Sequence, residues 1–383
     1  MAIVSINELP QRGIKGEENM KKILLGSTAL VAAGMIASAP ASAKMKLGVG
    51  GYMQQWVGYV SQDDVAGKDL SGVDVKHDAE IHFKGMTKLD NGMSVGVNVQ
   101  LEANTSGDTI DESYLILKGG FGEINIGSEN SASYKMHYGA KGHGIGFNSG
   151  DQSQWANTGG NISQSGHYRE PLGSTNVEPN GMNDTTKVTY YTPRVNGFQL
   201  GVSYTPFGKS EDSNSQPDRN AEKTDIVSAG LNFKQKMGGM SVAASATYGT
   251  VTDAESGENA NEPSAMAFGL RLGMGQFGVN VATAQLEDSD SGKDGTAFQG
   301  SVTYSDGPLG VSLGYHNGER EGGANKSGQT EADVYHLSAA YSLGSGVSWK
   351  STLGHAAYAS DDPTLTVDEH TATYFVTGLH VGF

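Results

Sequence analysis

From residue 44 onward, apolar and polar side chains alternate one by one along segment after segment. Met93, Val95, Val97, Val99 and Leu101 alternate with Ser94, Gly96, Asn98, Gln100 and Glu102. Phe198, Leu200, Val202 and Tyr204 interleave with Gln199, Gly201, Ser203 and Thr205, and Leu309, Val311, Leu313 and Tyr315 with Gly310, Ser312, Gly314 and His316. Tyr335, Leu337, Ala339, Tyr341 and Leu343 repeat the pattern against His336, Ser338, Ala340 and Ser342. Successive strand side chains point to opposite faces, so this period of two predicts strands with one apolar and one polar face. No stretch of similar length carries the helical period.

The breaks between these segments are of two kinds. Short turns fall at Asp90-Asn91-Gly92, Gly119-Gly120-Phe121-Gly122, Pro193 to Gly197, Gly238-Gly239, Gly275-Gln276, Ser305 to Pro308 and Gly344-Ser345-Gly346. Longer polar stretches lie near 61–73, 103–111, 127–186, 207–222, 253–264, 287–295, 317–330 and 359–370. The two kinds alternate strictly, and seven turns with eight loops predict sixteen strands. A soluble sandwich gives no reason for that asymmetry. An all-β, 16-stranded antiparallel transmembrane β-barrel does: short turns at one membrane face, long loops at the other, apolar side chains outward and polar ones lining the lumen. Closure pairs every backbone group where no water is present, and a barrel of this size encloses water.

Composition agrees. The chain has 383 residues, 55 glycines, 18% charged residues and a mean hydropathy of -0.38, against about 7% glycine and about 25% charge in average proteins. A polar lumen accounts for the low hydropathy. The formal charge of -16 disfavours nucleic acid, which needs clustered Lys and Arg. The absence of cysteine excludes a disulfide scaffold, Cys-ligated zinc and a thiol nucleophile. Aromatic residues sort to strand ends: Tyr190, Phe198, Phe233, Phe277, Tyr304, Tyr341 and Phe383 at the short-turn rim, and Tyr59, Tyr204, Tyr248, Tyr315 and Tyr358 at the long-loop rim. Two interfacial girdles are thereby predicted.

Near the N-terminus Lys21-Lys22, the apolar and small run Ile23 to Ala39, and Ala41-Ser42-Ala43 follow one another as the three regions of a secretory signal peptide. The expected organisation is an upstream extension over 1–19, a signal peptide over 20–43 and an outer-membrane β-barrel over 44–383, with a net charge of -17 after cleavage.

Three local matches carry a family resemblance: Val188 to Phe198, with its Tyr190-Tyr191-Thr192-Pro193 core; Ile124-Asn125-Ile126-Gly127 leading into Ser131; and Gly378, Val381 and the terminal Phe383. On these the chain resembles the general porins of Gram-negative bacteria, of the alphaproteobacterial type. It departs from them in lacking a Pro-Glu-Phe-Gly signature in the 127–186 loop and in carrying Ser128 where many relatives have arginine. The resemblance implies a homotrimer in contact with outer-membrane lipids and lipopolysaccharide. It also implies passive diffusion of ions and small hydrophilic solutes, and a third outer loop folded into the lumen as a constriction. The alternative for that loop is a long surface loop packed on its neighbours.

Candidate constriction residues are Glu129, Asp151, Arg169, Glu170 and Glu178, beside Lys135 and Lys141. Strand alternation assigns Lys46, Glu80, His82, Lys84, Glu102, Lys187, Lys234, Arg271 and Lys350 to the lumen, with Lys84 nearest mid-barrel. Any one of these could equally be a solvated wall charge. The acidic balance predicts a weak cation preference, since low-dielectric walls focus lumen charges on passing ions. Only Arg169, Arg194, Arg219, Arg271 and Arg320 follow the cleavage point, which argues against a dedicated phosphate channel. No cofactor is expected. Asp63-Asp64, Glu287-Asp288-Asp290 with Asp294, and Asp361-Asp362 offer oxygen ligands for calcium or magnesium, or are solvated loop acids. Metalloprotease, serine-hydrolase and phosphate-loop motifs are absent, so no enzyme is expected beyond a pairing such as His143 with a loop serine. The competing readings are a substrate-selective outer-membrane channel and a secreted β-rich adhesin or S-layer-like protein.

Overall fold

A computed structural model describes residues 45–383 except 104–109, 160–161, 163–167, 180–181, 209–223, 254–261, 289–293, 322–327, 364 and 366. The signal peptide expected over 20–43 lies outside the described residues. Sixteen strands follow in order: β1 (Leu47–Gln62), β2 (Val73–Lys88), β3 (Ser94–Glu102), β4 (Glu112–Gly119), β5 (Gly122–Ser128), β6 (Thr186–Tyr191), β7 (Phe198–Phe207), β8 (Thr224–Met237), β9 (Met240–Asp253), β10 (Ser264–Met274), β11 (Phe277–Glu287), β12 (Gly295–Asp306), β13 (Leu309–Glu321), β14 (Gln329–Gly344), β15 (Val347–Ser360) and β16 (Glu369–Gly382). Each pairs antiparallel with its sequence neighbours, and β1 pairs with β16 from Tyr52↔Gly382 to Gln62↔Ala372, closing the barrel. All seven short turns and eight long loops fall between the strands where the sequence places them. The β8–β9 turn uses Gly238 and Gly239, both at positive φ (56° and 87°), the backbone that a two-residue hairpin requires and glycine adopts without strain.

The two faces of the wall separate as the alternation predicts. On β13 and β14, Leu313 and Leu337 are directly opposite one another and exposed outward, whereas Ser312, Ser338, His316 and His336 are buried on the inner face. Part of the inner face is covered by the described residues of the loop between β5 and β6. The loop begins with a short helix, α1 (Ala132–Met136), whose first turn is capped by the Ser131 hydroxyl accepting from the Tyr134 N–H. From there the loop crosses the interior, and inward side chains bond its backbone strand by strand. Ser203 of β7 accepts from Ala132 N–H (2.8 Å), Ser245 of β9 from Tyr138 (2.8 Å), Ser312 of β13 from His143 (2.9 Å) and Thr352 of β15 from Ile145 (3.0 Å). In the other direction Arg271 Nε donates to Gly139 O (2.7 Å), Ser301 to Lys141 O (2.7 Å) and Gln299 to Phe147 O (2.9 Å).

Inward glycines make room for this path: a Cβ on Gly269 would collide with the Tyr138 carbonyl, on Gly310 with His143 and on Gly314 with Phe147. Farther along, Ile145, Trp155, Ile162 and Leu172 pack with Trp56, Val334, Tyr358, Tyr374 and Val376 into an apolar core on the inside of β14–β16 and β1.

The girdles are confirmed in part. Phe198 and Phe233 pair at 4.8 Å and Phe277 and Tyr304 at 5.1 Å near the short turns, while Tyr59 and Tyr248 are exposed near the long loops. Tyr358 is the exception. It pairs with inward-facing Ala332 and His370, is 2% exposed, and belongs to the interior core instead of the lipid interface.

Leu313, 60% exposed on the outer face and paired with Val302 and Leu337, tests that assignment. Leu313→Lys is expected to lower folding stability in lipid vesicles by about 2–4 kcal/mol, measured by urea titration of the reconstituted barrel. An effect near zero would place Leu313 away from lipid.

Candidate functional site

The two ends of the interior loop meet at a buried charge network against β4, β5 and β6. Glu129, fully buried, accepts from Lys135 Nζ (2.5 Å) and Asn125 Nδ2 (3.1 Å). Lys187 of β6, 1% exposed, donates to the carbonyls of Glu129 and Thr185. On the returning arm Arg169 donates to Glu178 (2.7 Å) and Asn130 (2.5 Å), lies 3.9 Å from Asp184, and stacks 4.0 Å over the Tyr134 ring. Asn130 in turn donates twice to Glu112 of β4, which ties both arms to the wall. Burial of charge is tolerated when each ion is paired and bonded, and most of this network meets that condition. Asp184 meets it least: its Oδ1 has no hydrogen-bond partner. Burial, reinforced by Asp111 and Glu112 and opposed by Arg169 and Lys187, pushes its carboxyl up to about 7.

The sequence-assigned residues therefore divide. Glu129, Glu178, Arg169 and Lys187 anchor the loop and do not front an open lumen. Glu170 is held by Arg320 of β13 (2.8 Å), a second clasp farther along the loop. A polar surface forms on β1 and β2 instead. Tyr52 donates to Glu80 (2.9 Å), Gln54 donates to Asp78 (2.9 Å), and His82 Nε2 lies 2.6 Å from Glu80. Asp151, in a 3₁₀ turn at Asp151–Trp155, faces that surface; burial and the charge of Asp78 hold its carboxyl above the usual range. Glu102 pairs across from Glu80, and with Asp111 these carboxylates converge within 4.8 Å.

Inward cations gather elsewhere. Lys234 (β8) and Arg271 (β10) sit beneath Lys141 of the loop near the short turns, and Lys350 is three residues into β15. Lys84 pairs with Gly48, the second residue of β1, which puts it toward the short-turn end at a level like that of Lys350. Glu80, not Lys84, is nearest the middle of β2, because that strand runs on to Lys88. Lys46 immediately precedes β1 and is exposed.

The loop acids serve local structure. Asp63 accepts from Thr371 N–H (2.6 Å) and Oγ1 (2.9 Å), Asp294 from the Asp288 N–H, and Asp361 from the Gln329 N–H. Asp290 lies outside the described residues. His143 Nε2 is 3.3 Å from Ser305, which belongs to β12 and not to a loop. Sequence reasoning missed Asp78, although its place two residues before Glu80 puts it on the same face. It also missed the inward Ser and Thr that hold the loop, since a hydroxyl facing water and one facing a loop read alike.

A closed, wide, antiparallel barrel with an apolar exterior and a polar interior defines a transmembrane channel of the outer-membrane type. Comparison with known proteins identifies its kind. The Gram-negative porin family profile matches residues 26–362, and the chain belongs to that family. An uncharacterized protein of Rickettsia bellii is 22% identical over 305 residues, covering 61% of this chain and 69% of its own. Among solved structures, the anion-selective porin from Comamonas acidovorans superposes with a TM-score of 0.58 at 15% identity, over 89% of this chain and all of its own. The outer membrane channel DcaP of Acinetobacter baumannii gives 0.58 at 11% identity, over 91% of this chain and all of its own. The protein is an outer-membrane diffusion channel.

The raised Asp184 carboxyl has a consequence for the loop root. The fold holds this proton between about pH 4 and 7, where the unfolded chain releases it. Its contribution is therefore most favourable below that window and is lost as pH climbs through 7. Asp184→Asn is expected to raise the thermal midpoint in detergent at pH 8 while leaving it nearly unchanged at pH 4. Equal shifts at both pH values would count against a buried, protonating Asp184.

Proposed function

We propose that the channel passes ions and small hydrophilic solutes passively, with a weak preference for cations. The observation that carries the preference is the carboxylate surface of Asp78 and Glu80 on β2, held by Gln54 and Tyr52 of β1, with Asp151 of the interior loop near enough to feel the charge of Asp78. Charges on a narrow water path between low-dielectric walls act strongly on ions in transit. The apolar loop core on β14–β16 and β1 fills part of the cross-section, which supports a bore narrower than the barrel. The formal charge of the chain favours the same sign. The full reading adds a signal peptide over 20–43, a homotrimer in the membrane, and contact of the long-loop rim with lipopolysaccharide; the superposition on the trimer form of the Vibrio cholerae outer membrane protein OmpT, at a TM-score of 0.56 and 13% identity, is in keeping with the trimer. No cofactor enters this function. Calcium or magnesium at the loop acids would serve adhesion to lipid phosphate, not conduction.

Planar-bilayer recording across a potassium chloride gradient tests the preference. The reversal potential is expected to have the sign of cation selectivity and to move toward zero in Asp151→Asn. Acidification is expected to do the same in the wild type, at a pH above the usual carboxylate range. A wild-type reversal potential of the anion-selective sign would overturn the preference.

A further inference from the structure

The inner wall at the short-turn end of β8–β12 carries an open cavity of about 580 Å³, bordered by Tyr138 and Lys141 of the interior loop. Its depth comes from small inward residues: a side chain at Gly273 or Gly278 would run into Ser241 or Thr303. Four cationic side chains, Lys141, Lys234, Lys236 and Arg271, line it, and no carboxylate does.

That imbalance sets the cavity apart. Several other inward cations meet an acid, Lys76 with Asp74 (2.5 Å), Lys118 with Glu123 (3.0 Å), Lys135 with Glu129 (2.5 Å) and Arg320 with Glu170 (2.8 Å), and Lys187 is held by two carbonyls; Lys84 and Lys350 stand singly, not in a cluster. Among the described residues no ion pair is made by the four cavity cations. Arg271 is held in place by its Nε bond to Gly139 O and by the Tyr138 ring at 5.2 Å, and its terminal N–H groups make no hydrogen bond among the described residues. The cations also feel one another: burial and the charges of Arg271 and Lys234 pull Lys141 below its ordinary value. Clustered, mutually repelling cations beside a preset guanidinium fork are the donor set for a planar or tetrahedral oxyanion.

We propose that this cavity is a binding pocket for a compact polyvalent oxyanion, either a phosphate or a polycarboxylate, entering from the periplasmic end of the lumen. The proposal rests on the reading of the chain as an open pore and adds to it a saturable side pocket, away from the acidic β1–β2 wall. An anion seated there narrows the path and neutralises wall charge, so occupancy is read as a fall in conductance.

The test is planar-bilayer recording of the full channel in potassium chloride, with pyrophosphate or citrate added separately to each side and acetate as the monovalent control. Pyrophosphate, citrate or both are expected to lower the conductance to a plateau, at lower concentration from the short-turn side, and acetate to leave it unchanged. Which of the two blocks assigns the ligand group. Lys234→Gln, an exposed side chain whose loss spares the fold, is expected to weaken the block roughly tenfold, as loss of one charge-assisted bond does. Arg271→Gln is expected to weaken it at least as much. Lys118→Gln, at the same end but paired with Glu123, is expected to leave the block intact. Open channels whose current no polyvalent anion reduces, or a block equal in Lys234→Gln and wild type, would overturn the pocket alone. Absence of any conductance from folded protein would overturn the pore reading beneath it.

Discussion

In hydrocarbon no backbone N–H or C=O can be left without a partner, and the pairing of β1 with β16 is what meets that demand for this chain. Once the sheet is closed, strand alternation leaves no choice about its faces. Every second residue meets lipid, and the rest meet a lumen too wide for their own side chains to fill. Into that space enters a loop with its own polar backbone. The wall supplies partners for it from β7 round to β15, each hydroxyl matched to a successive loop amide, with Arg271, Ser301 and Gln299 donating to carbonyls between them. The interior loop is thus subject to the same accounting as the barrel, with side chains doing for it what neighbouring strands do for the sheet.

The loop must also enter and leave the barrel through one place, between β5 and β6. Arg169 and Asp184 both have positive φ (62° and 43°), a conformation that costs non-glycine residues of order 1–3 kcal/mol each. Both belong to the ion network at the root. The contacts of Arg169 with Glu178, Asn130 and Tyr134 hold the backbone in that conformation. Strain and buried charge therefore coincide where the chain reverses from loop to wall.

Strand number, turn placement and the two faces were legible because each depends on local pattern: a period of two, and glycine or proline at a tight turn. The path of the loop was not, because it depends on which distant hydroxyl meets which amide. Ser203, Ser245, Ser312 and Thr352 sit at inward positions that read as lumen-facing whether water or a loop lies beyond them. Lys187 reads as a pore charge for the same reason, and Glu129 and Glu178 through the resemblance that folds their loop into the lumen; Lys135 and Arg169 pair with the two acids, and Lys187 is taken up by the carbonyls of Glu129 and Thr185. Tyr358 was sorted to the rim by its place along β15. Face parity, which pairs it with Ala332 and His370, is the stronger constraint. Asp78 could have been found by that same parity.

The inner wall is unequal in bulk, and that inequality fixes where water runs. On β13–β16 and β1 the inward residues include His316, Val334, His336, Tyr358, Tyr374 and Trp56, which give the loop a surface broad enough to bury Ile145, Trp155 and Leu172. Toward the short turns of β9–β11 they include Ala243, Gly273 and Gly278, which offer little to pack against, whereas toward the long loops Ala265, Ala267, Ala284, Leu286 and Ala297 of β10–β12 receive Val177 of the returning loop. Apolar burial seats Trp155 and Leu172 on the bulky side and Val177 and Met182 on the long-loop half of β8–β12, while hydrogen bonds from Ser203, Ser245 and Arg271 hold the first part of the loop across β7–β10. Space remains below that first part, toward the short turns of β8–β12. That space is lined by cations that make no ion pair among the described residues, whereas the carboxylates of Asp78 and Glu80 stand apart from it on β2. The separation of charge across the lumen therefore follows from where large and small side chains were placed on the wall, since these decide which surfaces the loop covers and which it leaves to water.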